Sequence, residues 1–128
     1  MRVLVDTAAF LYWTSGAARM SPRARKVFSD GRSELFFSAV SSWEIAIKHG
    51  LGKLDLPEPP ATFVPSRLAK HGLVALPFEH VDALAVATLP LHHDDPFDRA
   101  LIAQAKERAL AVMTPDERFA EYGVRVVW

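Results

Sequence analysis

Four acidic side chains lie at comparable places in this sequence, each at the end of a predicted strand or the start of a predicted helix: Asp6, Glu44, Asp98 and Asp116. Carboxylates brought together repel one another, which raises their pKa values unless a cation neutralises them. Oxygen ligands in a chain without cysteine favour the hard divalent ions Mg²⁺ and Mn²⁺. Such an ion polarises a phosphoryl oxygen and turns water into a better nucleophile. The pattern therefore predicts hydrolysis of phosphodiester bonds at an acidic metal site.

Each of the four acids, taken singly, also has a purely structural interpretation. Asp6 suits the N-cap of a helix, and Asp98 and Asp116 suit a first helical turn, where the helix dipole favours negative charge. Glu44 follows Ser41 by three residues, in the pattern of a capping box. The convergence of all four, rather than any one of them, is what indicates a site.

The elements that must position these acids alternate between strands and helices. Short apolar runs predict five strands, at 3–5, 35–37, 73–76, 111–113 and 124–127, the last of them at an edge because of Arg125. Helices are predicted between them, at about 8–13, 21–30, 41–50, 61–71, 79–88, 96–109 and 115–122. This alternation predicts an α/β fold with a parallel sheet, whose ligands bind beyond the carboxyl ends of the strands.

The composition limits the class of protein. A chain of 128 residues, half of them hydrophobic, has the size and the apolar content of one domain, 1–128, with one core. Fifteen basic and fifteen acidic side chains cancel, so no broad basic surface is expected, and the absence of cysteine excludes disulfides and thiolate metal sites. No apolar run suits a signal peptide or approaches the ~20 residues of a membrane helix. We therefore expect a soluble, cytoplasmic protein without membrane contacts.

Four blocks of this sequence resemble the PIN-domain ribonucleases of the VapC toxin type, from type II toxin–antitoxin systems. The blocks cover nearly the whole chain: Leu4–Thr7, Ser38–Lys48 with Gly52–Leu54, Leu89–His93 with Asp95–Arg99, and Thr114–Val124. The second and third blocks carry most of the specificity. The resemblance implies a five-stranded parallel sheet in the order 3-2-1-4-5, flanked by helices. It also implies that the metal-binding acids of the family correspond to Asp6, Glu44, Asp98 and Asp116.

The activity implied by the resemblance is Mg²⁺- or Mn²⁺-dependent cleavage of RNA by a toxin that a cognate antitoxin protein neutralises. Under this interpretation Asp6 and Asp98 are direct metal ligands. Glu44 is a ligand or orients a water, and Asp116 acts through water or at a second metal.

Other residues of these blocks receive supporting roles. Thr7 and Thr114 are expected to hydrogen-bond the ligating carboxylates, as groups around metal ligands commonly do. Asp95 is interpreted as a helix cap. His92 and His93 are expected to shape their loop or to contact RNA, because hard cations prefer oxygen ligands to imidazole.

Basic and aromatic side chains suggest where larger partners bind. The basic residues beside the acidic blocks are the candidates for RNA contact: Lys48, Lys53, Arg99 and Arg118. The aromatic residues Trp13, Trp43, Phe10 and Tyr12 are interpreted as core or subunit-interface residues, not as base-stacking platforms. An exposed apolar face on the first two helices, including Phe10 and Tyr12, is expected to serve a homodimer or an antitoxin segment.

Two other functions remain open at this stage. The first is an acidic-pocket phosphatase or phosphoacceptor, although such phosphatases typically carry a second aspartate two residues after the first, where this chain has Ala8. The second is a non-catalytic protein-binding module, in which the four acids only cap helices.

Overall fold

Five parallel strands form the centre of the computed structural model, which describes all residues from 1 to 128. The strands are β1 Arg2–Val5, β2 Glu34–Ser38, β3 Leu73–Leu76, β4 Ala111–Met113 and β5 Val126–Val127. Their order is β3-β2-β1-β4-β5, and every pairing is parallel. The predicted α/β class and strand order are confirmed, and the last strand lies at an edge as expected.

Six α-helices and two short 3₁₀ helices connect the strands. The α-helices are α1 Thr7–Thr14, α2 Pro22–Ser29, α3 Ala39–Gly50, α4 Pro60–His71, α5 His80–Ala85 and α6 Pro96–Arg108. The 3₁₀ helices are Val86–Thr88 and Glu117–Tyr122. None of the helices combines the length and the apolar character that crossing a bilayer requires.

The burial of the central strand β1 explains why its sequence is apolar after Arg2. It pairs with β2 on one side and β4 on the other, and Val3, Leu4 and Val5 are all completely buried. Because successive side chains of a strand point to opposite faces, Val3 and Val5 join one apolar cluster and Leu4 joins another. The two clusters lie on the two faces of the sheet and hold its carboxyl edge in place between them.

The start of α3 differs from the prediction. Strand β2 continues to Ser38, whose Oγ accepts a hydrogen bond from Val40 N at 3.1 Å, so the helix begins directly at Ala39. Ser41 is therefore inside the helix, and Glu44 lies beyond the first turn. The predicted capping box between Ser41 and Glu44 is wrong, because the strand supplies its own capping serine three residues earlier.

The aromatic residues divide between the core and the surface. Phe10 is completely buried and packs against Phe37, with ring centroids 4.2 Å apart, so its expected place on an exposed face is wrong and its place in the core is confirmed. Trp13 stacks on Phe28 at 4.2 Å. Trp43 differs from both because it is exposed.

Candidate metal centre

The ends of two neighbouring strands, β1 and β4, begin the candidate site. Val5 lies beside Met113, so Asp6 and Thr114 follow at the same level of the sheet edge. Asp6 N donates to Met113 O at 3.0 Å, and Asp6 Oδ1 accepts from Ala9 N at 2.8 Å. Asp6 is thus the N-cap of α1, and the cap fixes its carboxylate at the edge where ligands bind in parallel α/β folds.

The Asp6 carboxyl is 4% exposed, and this burial raises its pKa from 3.8 to about 7. Hydrogen bonds from the Thr114 hydroxyl and from Ala9 N–H oppose the rise, whereas the charges of Asp98 and Glu44 add to it. Asp6 has no ion-pair contact with a lysine, arginine or histidine, whereas Glu44 and Asp116 do. The carboxylate therefore has no neutralising partner among the side chains around it, a condition that favours a bound cation.

Asp98 lies in the first turn of α6, whose N-cap is Asp95. Asp95 Oδ1 accepts hydrogen bonds from the backbone N–H groups at positions 97 and 98, which confirms its predicted capping role. Burial raises the pKa of Asp98 to about 6, the charge of Asp95 adds to this rise, and His93 opposes it. Glu44 and Asp116 raise it further. Together with the charges that act on Asp6, these effects indicate that the structure brings the four acids together.

Glu44 is held from two sides within α3. Thr7 Oγ1 donates to Glu44 Oε1 at 2.7 Å and lies 2.8 Å from Ser41 Oγ. Lys48, one helical turn later, forms an ion pair with the other carboxylate oxygen of Glu44. The expected hydrogen bond from Thr7 to an acid of the site is therefore present, and Glu44 is both oriented and neutralised.

Asp116 already has a cationic partner. Arg118 donates to both of its oxygens, from Nε to Oδ1 at 3.1 Å and from Nη2 to Oδ2 at 3.0 Å. Burial alone would raise the pKa of Asp116, but the hydrogen bonds from Arg118 and His93 lower it to about 2. Asp116 N also donates to Thr114 Oγ1 at 3.0 Å. Asp116 is thus ionised and fixed, in contrast to Asp6.

His93 is the residue of this site whose importance the sequence underestimated. Its imidazole is buried, and Nδ1 accepts a hydrogen bond from Asp95 N at 3.1 Å. Since Nδ1 is an acceptor, this network assigns the ring proton to Nε2, which lies 3.0 Å from Asp98 Oδ2 and 3.0 Å from Asp116 Oδ2. One N–H group therefore lies between two acids that would otherwise repel each other.

The loop around His93 is fastened by hydrogen bonds from distant segments. His93 N donates to the Tyr122 hydroxyl at 2.7 Å, and Arg99 donates to Pro90 O at 2.8 Å and to His93 O at 3.4 Å. His92 is exposed and packs edge-on against Tyr122. His93 and Arg99 thus shape the loop, as was expected of His93. From the sequence, this role of His93 could be found only by pairing a histidine with the helix-capping residue two positions later, Asp95.

The donor set fits a hard divalent cation. Asp6 is a buried carboxylate without an ion-pair partner, Asp98 contacts the imidazole of His93, and Glu44 and Asp116 are held by Lys48 and Arg118. Hard cations of the Mg²⁺ and Mn²⁺ type take carboxylate oxygens as ligands. The potential ligand atoms of His93, Asp98 and Asp116 also lie within 4.8 Å of one another, but the imidazole could bind an ion there only after losing the proton assigned to Nε2.

Comparisons with known proteins agree with this fold. The sequence model of the PIN domain family matches residues 3–124 of this chain. Ribonuclease VapC16 of Mycobacterium tuberculosis is 42% identical over 64 residues, which are 50% of this chain and 45% of that protein, so the match spans less than half of the relative.

Two solved structures share the fold across nearly the whole chain. DNA-bound VapBC of Salmonella typhimurium has a TM-score of 0.74 and 19% identity, covering 98% of this chain and 96% of that one. A toxin–antitoxin complex of Klebsiella pneumoniae has a TM-score of 0.61 and 16% identity, covering 92% and 90%. At these identities the likeness concerns the fold.

Proposed function

The chain belongs to the PIN domain family, and from this premise we propose that it is a Mg²⁺- or Mn²⁺-dependent endoribonuclease that acts as the toxin of a toxin–antitoxin pair. The observation that carries the proposal is Asp6, a carboxylate 4% exposed with its pKa raised to about 7, beside three further acids. An acid buried without a basic partner is unfavourable, and a divalent cation offsets this. The ribonuclease relative supports RNA as the substrate.

In the proposed site Asp6 and Asp98 hold the ion directly. Glu44 is a further ligand or orients a water molecule, and Asp116 acts through water or at a second ion. When bound, the ion supplies Lewis-acid polarisation of the scissile phosphoryl group and makes water more acidic. The protein's own contribution is to keep four carboxylates in one place before the ion arrives.

Two neighbouring groups perform this positioning. The Thr7 hydroxyl fixes one oxygen of Glu44, so the carboxylate presents a defined orientation. His93 holds its proton at Nε2 between Asp98 and Asp116, which reduces the repulsion between those two acids. Both contacts are formed before any substrate binds, and pre-organisation of this kind lowers the reorganisation that catalysis needs.

Helix capping alone does not account for these observations. Capping explains the places of Asp6, Asp95 and Asp116, but it requires neither a buried Glu44 within a helix nor a histidine between two acids. The position two residues after Asp6 is Ala8, which gives no support to a phosphoacceptor site. The nuclease function therefore accounts for more of the geometry than either alternative.

The proposal is tested by cleavage of a synthetic single-stranded RNA with Mn²⁺ and with EDTA. We expect cleavage only with Mn²⁺, and none by the Asp98→Asn protein. The matched control is Asp55→Asn, which removes an exposed acid outside the site and should cleave normally. Calorimetry should detect Mn²⁺ binding to the unaltered protein. Cleavage that persists in EDTA, or a fully active Asp98→Asn protein, would contradict the proposal.

The proposed protein partners are a cognate antitoxin and a second copy of the chain. The antitoxin is supported by the likeness to the Klebsiella pneumoniae complex, whose name describes a toxin bound to its antitoxin. The homodimer cannot use Phe10, which is buried, so its interface must involve other residues. Sedimentation of the purified chain distinguishes a dimer from a monomer, and a co-expressed antitoxin should suppress RNA cleavage.

A further inference from the structure

Two aromatic side chains meet at the border of the acidic site, and no role in the proposed chemistry accounts for them. Trp43 of α3 directly precedes Glu44, and Phe97 of α6 directly precedes Asp98. Their ring centroids are 5.1 Å apart, with planes at 74°, so the indole is held in an edge-to-face contact. Despite this contact Trp43 is 61% exposed.

Trp43 does not belong to the buried face of α3, so its large side chain does not contribute to the core. Helix α3 buries its other face through residues 40, 41, 44 and 45, and Trp43 lies outside that face. The remaining tryptophans are used differently: Trp13 stacks on Phe28 and donates to His71, and Trp128 packs near Tyr12. Tryptophan side chains are enriched at binding interfaces, so the exposed indole of Trp43 is a candidate contact for a partner.

The position of the pair relative to the acids suggests what binds there. Glu44 and Asp98 directly follow the two aromatic residues in the chain, and the rings of those two residues are in contact. Trp43 and Phe97 therefore form an aromatic surface at the border of the acidic site. When the phosphate of a nucleic acid reaches the carboxylates, a neighbouring base comes near this aromatic surface. Unpaired bases stack on exposed aromatic rings.

We propose that Trp43, restrained by Phe97, is a stacking platform for one unpaired base of a single-stranded RNA, next to the phosphate that is cleaved. This replaces the interpretation of Trp43 from the sequence as a core or subunit-interface residue, because its side chain is exposed beside the acidic site. This inference rests on the proposed function, because it takes RNA as the substrate. The contact with Phe97 restricts the indole before binding, so less side-chain freedom is lost when a base stacks. Stacking tolerates every base, so the platform contributes affinity and position more than sequence preference.

The test measures binding to a synthetic single-stranded RNA decamer in the Asp98→Asn background, which prevents cleavage. In this background Trp43→Leu should weaken binding about 5- to 150-fold, the range for one stacked base, and Trp43→Phe should weaken it less. Inorganic polyphosphate, a probe without bases, should bind both proteins equally. The control is Leu84→Ala, which alters an exposed apolar residue of α5 outside the site and should leave RNA binding unchanged.

Failure of this inference differs from failure of the proposed function. If the parent Asp98→Asn protein binds RNA and Trp43→Leu binds equally well, the platform is wrong while the nuclease stands. If the parent does not bind RNA at all, both are wrong. An equal loss of RNA and polyphosphate binding would overturn base stacking. If Trp43→Leu instead converts a dimer into a monomer and keeps its RNA affinity, the exposed indole serves a second copy and the platform is again wrong.

Discussion

Asp6 and Asp82 are both buried carboxylates, yet the protein treats them in opposite ways. Asp6 is 4% exposed and Asp82 is completely buried. Asp82 accepts hydrogen bonds from Arg108 Nη2 at 2.9 Å and from Glu79 N at 2.9 Å, and burial is outweighed, so its pKa is lowered. Asp6 has no basic partner, and its pKa is raised to about 7.

We interpret this difference as the difference between a structural acid, Asp82, and a proposed metal ligand, Asp6. At Asp82 the ion pair and the hydrogen bonds join α5 to α6, so the buried charge stabilises the packing of two helices. Asp6 is also buried, at the carboxyl edge of the sheet, but no basic side chain pairs with its carboxylate there. Strongly shifted pKa values collect at functional sites, because a site must hold charge ready for a ligand. Each prediction below tests this contrast.

The largest expected effect is on catalysis at Asp6. Asp6→Asn should reduce RNA cleavage by more than about 100-fold, because even groups around metal ligands contribute 10- to 100-fold. In EDTA the same protein should be at least as stable as the unaltered chain, since a carboxyl buried without a basic partner has been replaced by an amide. The measurements are single-turnover cleavage and thermal melting. An Asp6→Asn protein that melts far below the unaltered one would show that Asp6 is structural.

A divalent ion should stabilise the folded chain through Asp6. At 100 times its dissociation constant, Mn²⁺ should stabilise the protein by about 2.7 kcal/mol through mass action. Asp6→Asn should lose most of this stabilisation by Mn²⁺. Asp82→Asn should keep it, because Asp82 is paired with Arg108 and does not bind the ion. Melting with and without Mn²⁺ measures both, and equal shifts in the two variants would remove the contrast between them.

The converse experiment breaks the structural acid. Asp82→Ala should destabilise the chain by roughly 2 kcal/mol, since the Glu79 N–H and the Gln104 amide lose a buried acceptor. Cleavage per folded molecule should be unchanged, because Asp82 is not part of the acidic site. Urea unfolding and cleavage below the melting range provide the test. Lost activity in a fully folded Asp82→Ala protein would be inconsistent with this assignment.

Local signals predict the strands, the helices and the parallel α/β class, whereas the strand order comes from the resemblance to the PIN-domain ribonucleases and agrees with the structure. Apolar runs such as residues 3–5 identify buried strands, and the acids follow strand ends or open helices. The start of α3 is less predictable, since Ser38 and Ser41 both suit a cap and only the length of β2 decides between them. The role of His93 depends on Asp116 and Tyr122, which are far away in the chain, and the pairing of Asp82 with Arg108 leaves no local signal either.

The pH dependence of stability should differ in sign between the two acids. In metal-free protein Asp6 keeps a proton up to about pH 7, while the unfolded chain loses it near its usual value of 3.8, so stability falls as pH rises between these values. Asp82 has a lowered pKa, so its contribution is present above its usual value and is lost as pH falls. Asp6→Asn should flatten the decline above pH 4, an effect of about 4 kcal/mol at pH 7, since one pKa unit corresponds to about 1.4 kcal/mol. Asp82→Asn should leave that decline intact, and urea unfolding from pH 4 to pH 8 distinguishes the two.

The smallest expected effect concerns Asp95, which combines both kinds of role in one side chain. It caps α6, and its charge is the second-largest cause of the raised pKa of Asp98. Asp95→Ala should therefore destabilise the chain by about 1 kcal/mol through loss of the cap. Asp95→Ser keeps a capping oxygen and removes the charge, so it should preserve stability while the pKa of Asp98 falls towards its usual value. Carboxyl titration by NMR, in EDTA, measures that pKa. An unchanged Asp98 titration in Asp95→Ser would show that the charge of Asp95 does not raise the pKa of Asp98. Burial alone would then distinguish Asp98 from Asp82, whose pKa is lowered.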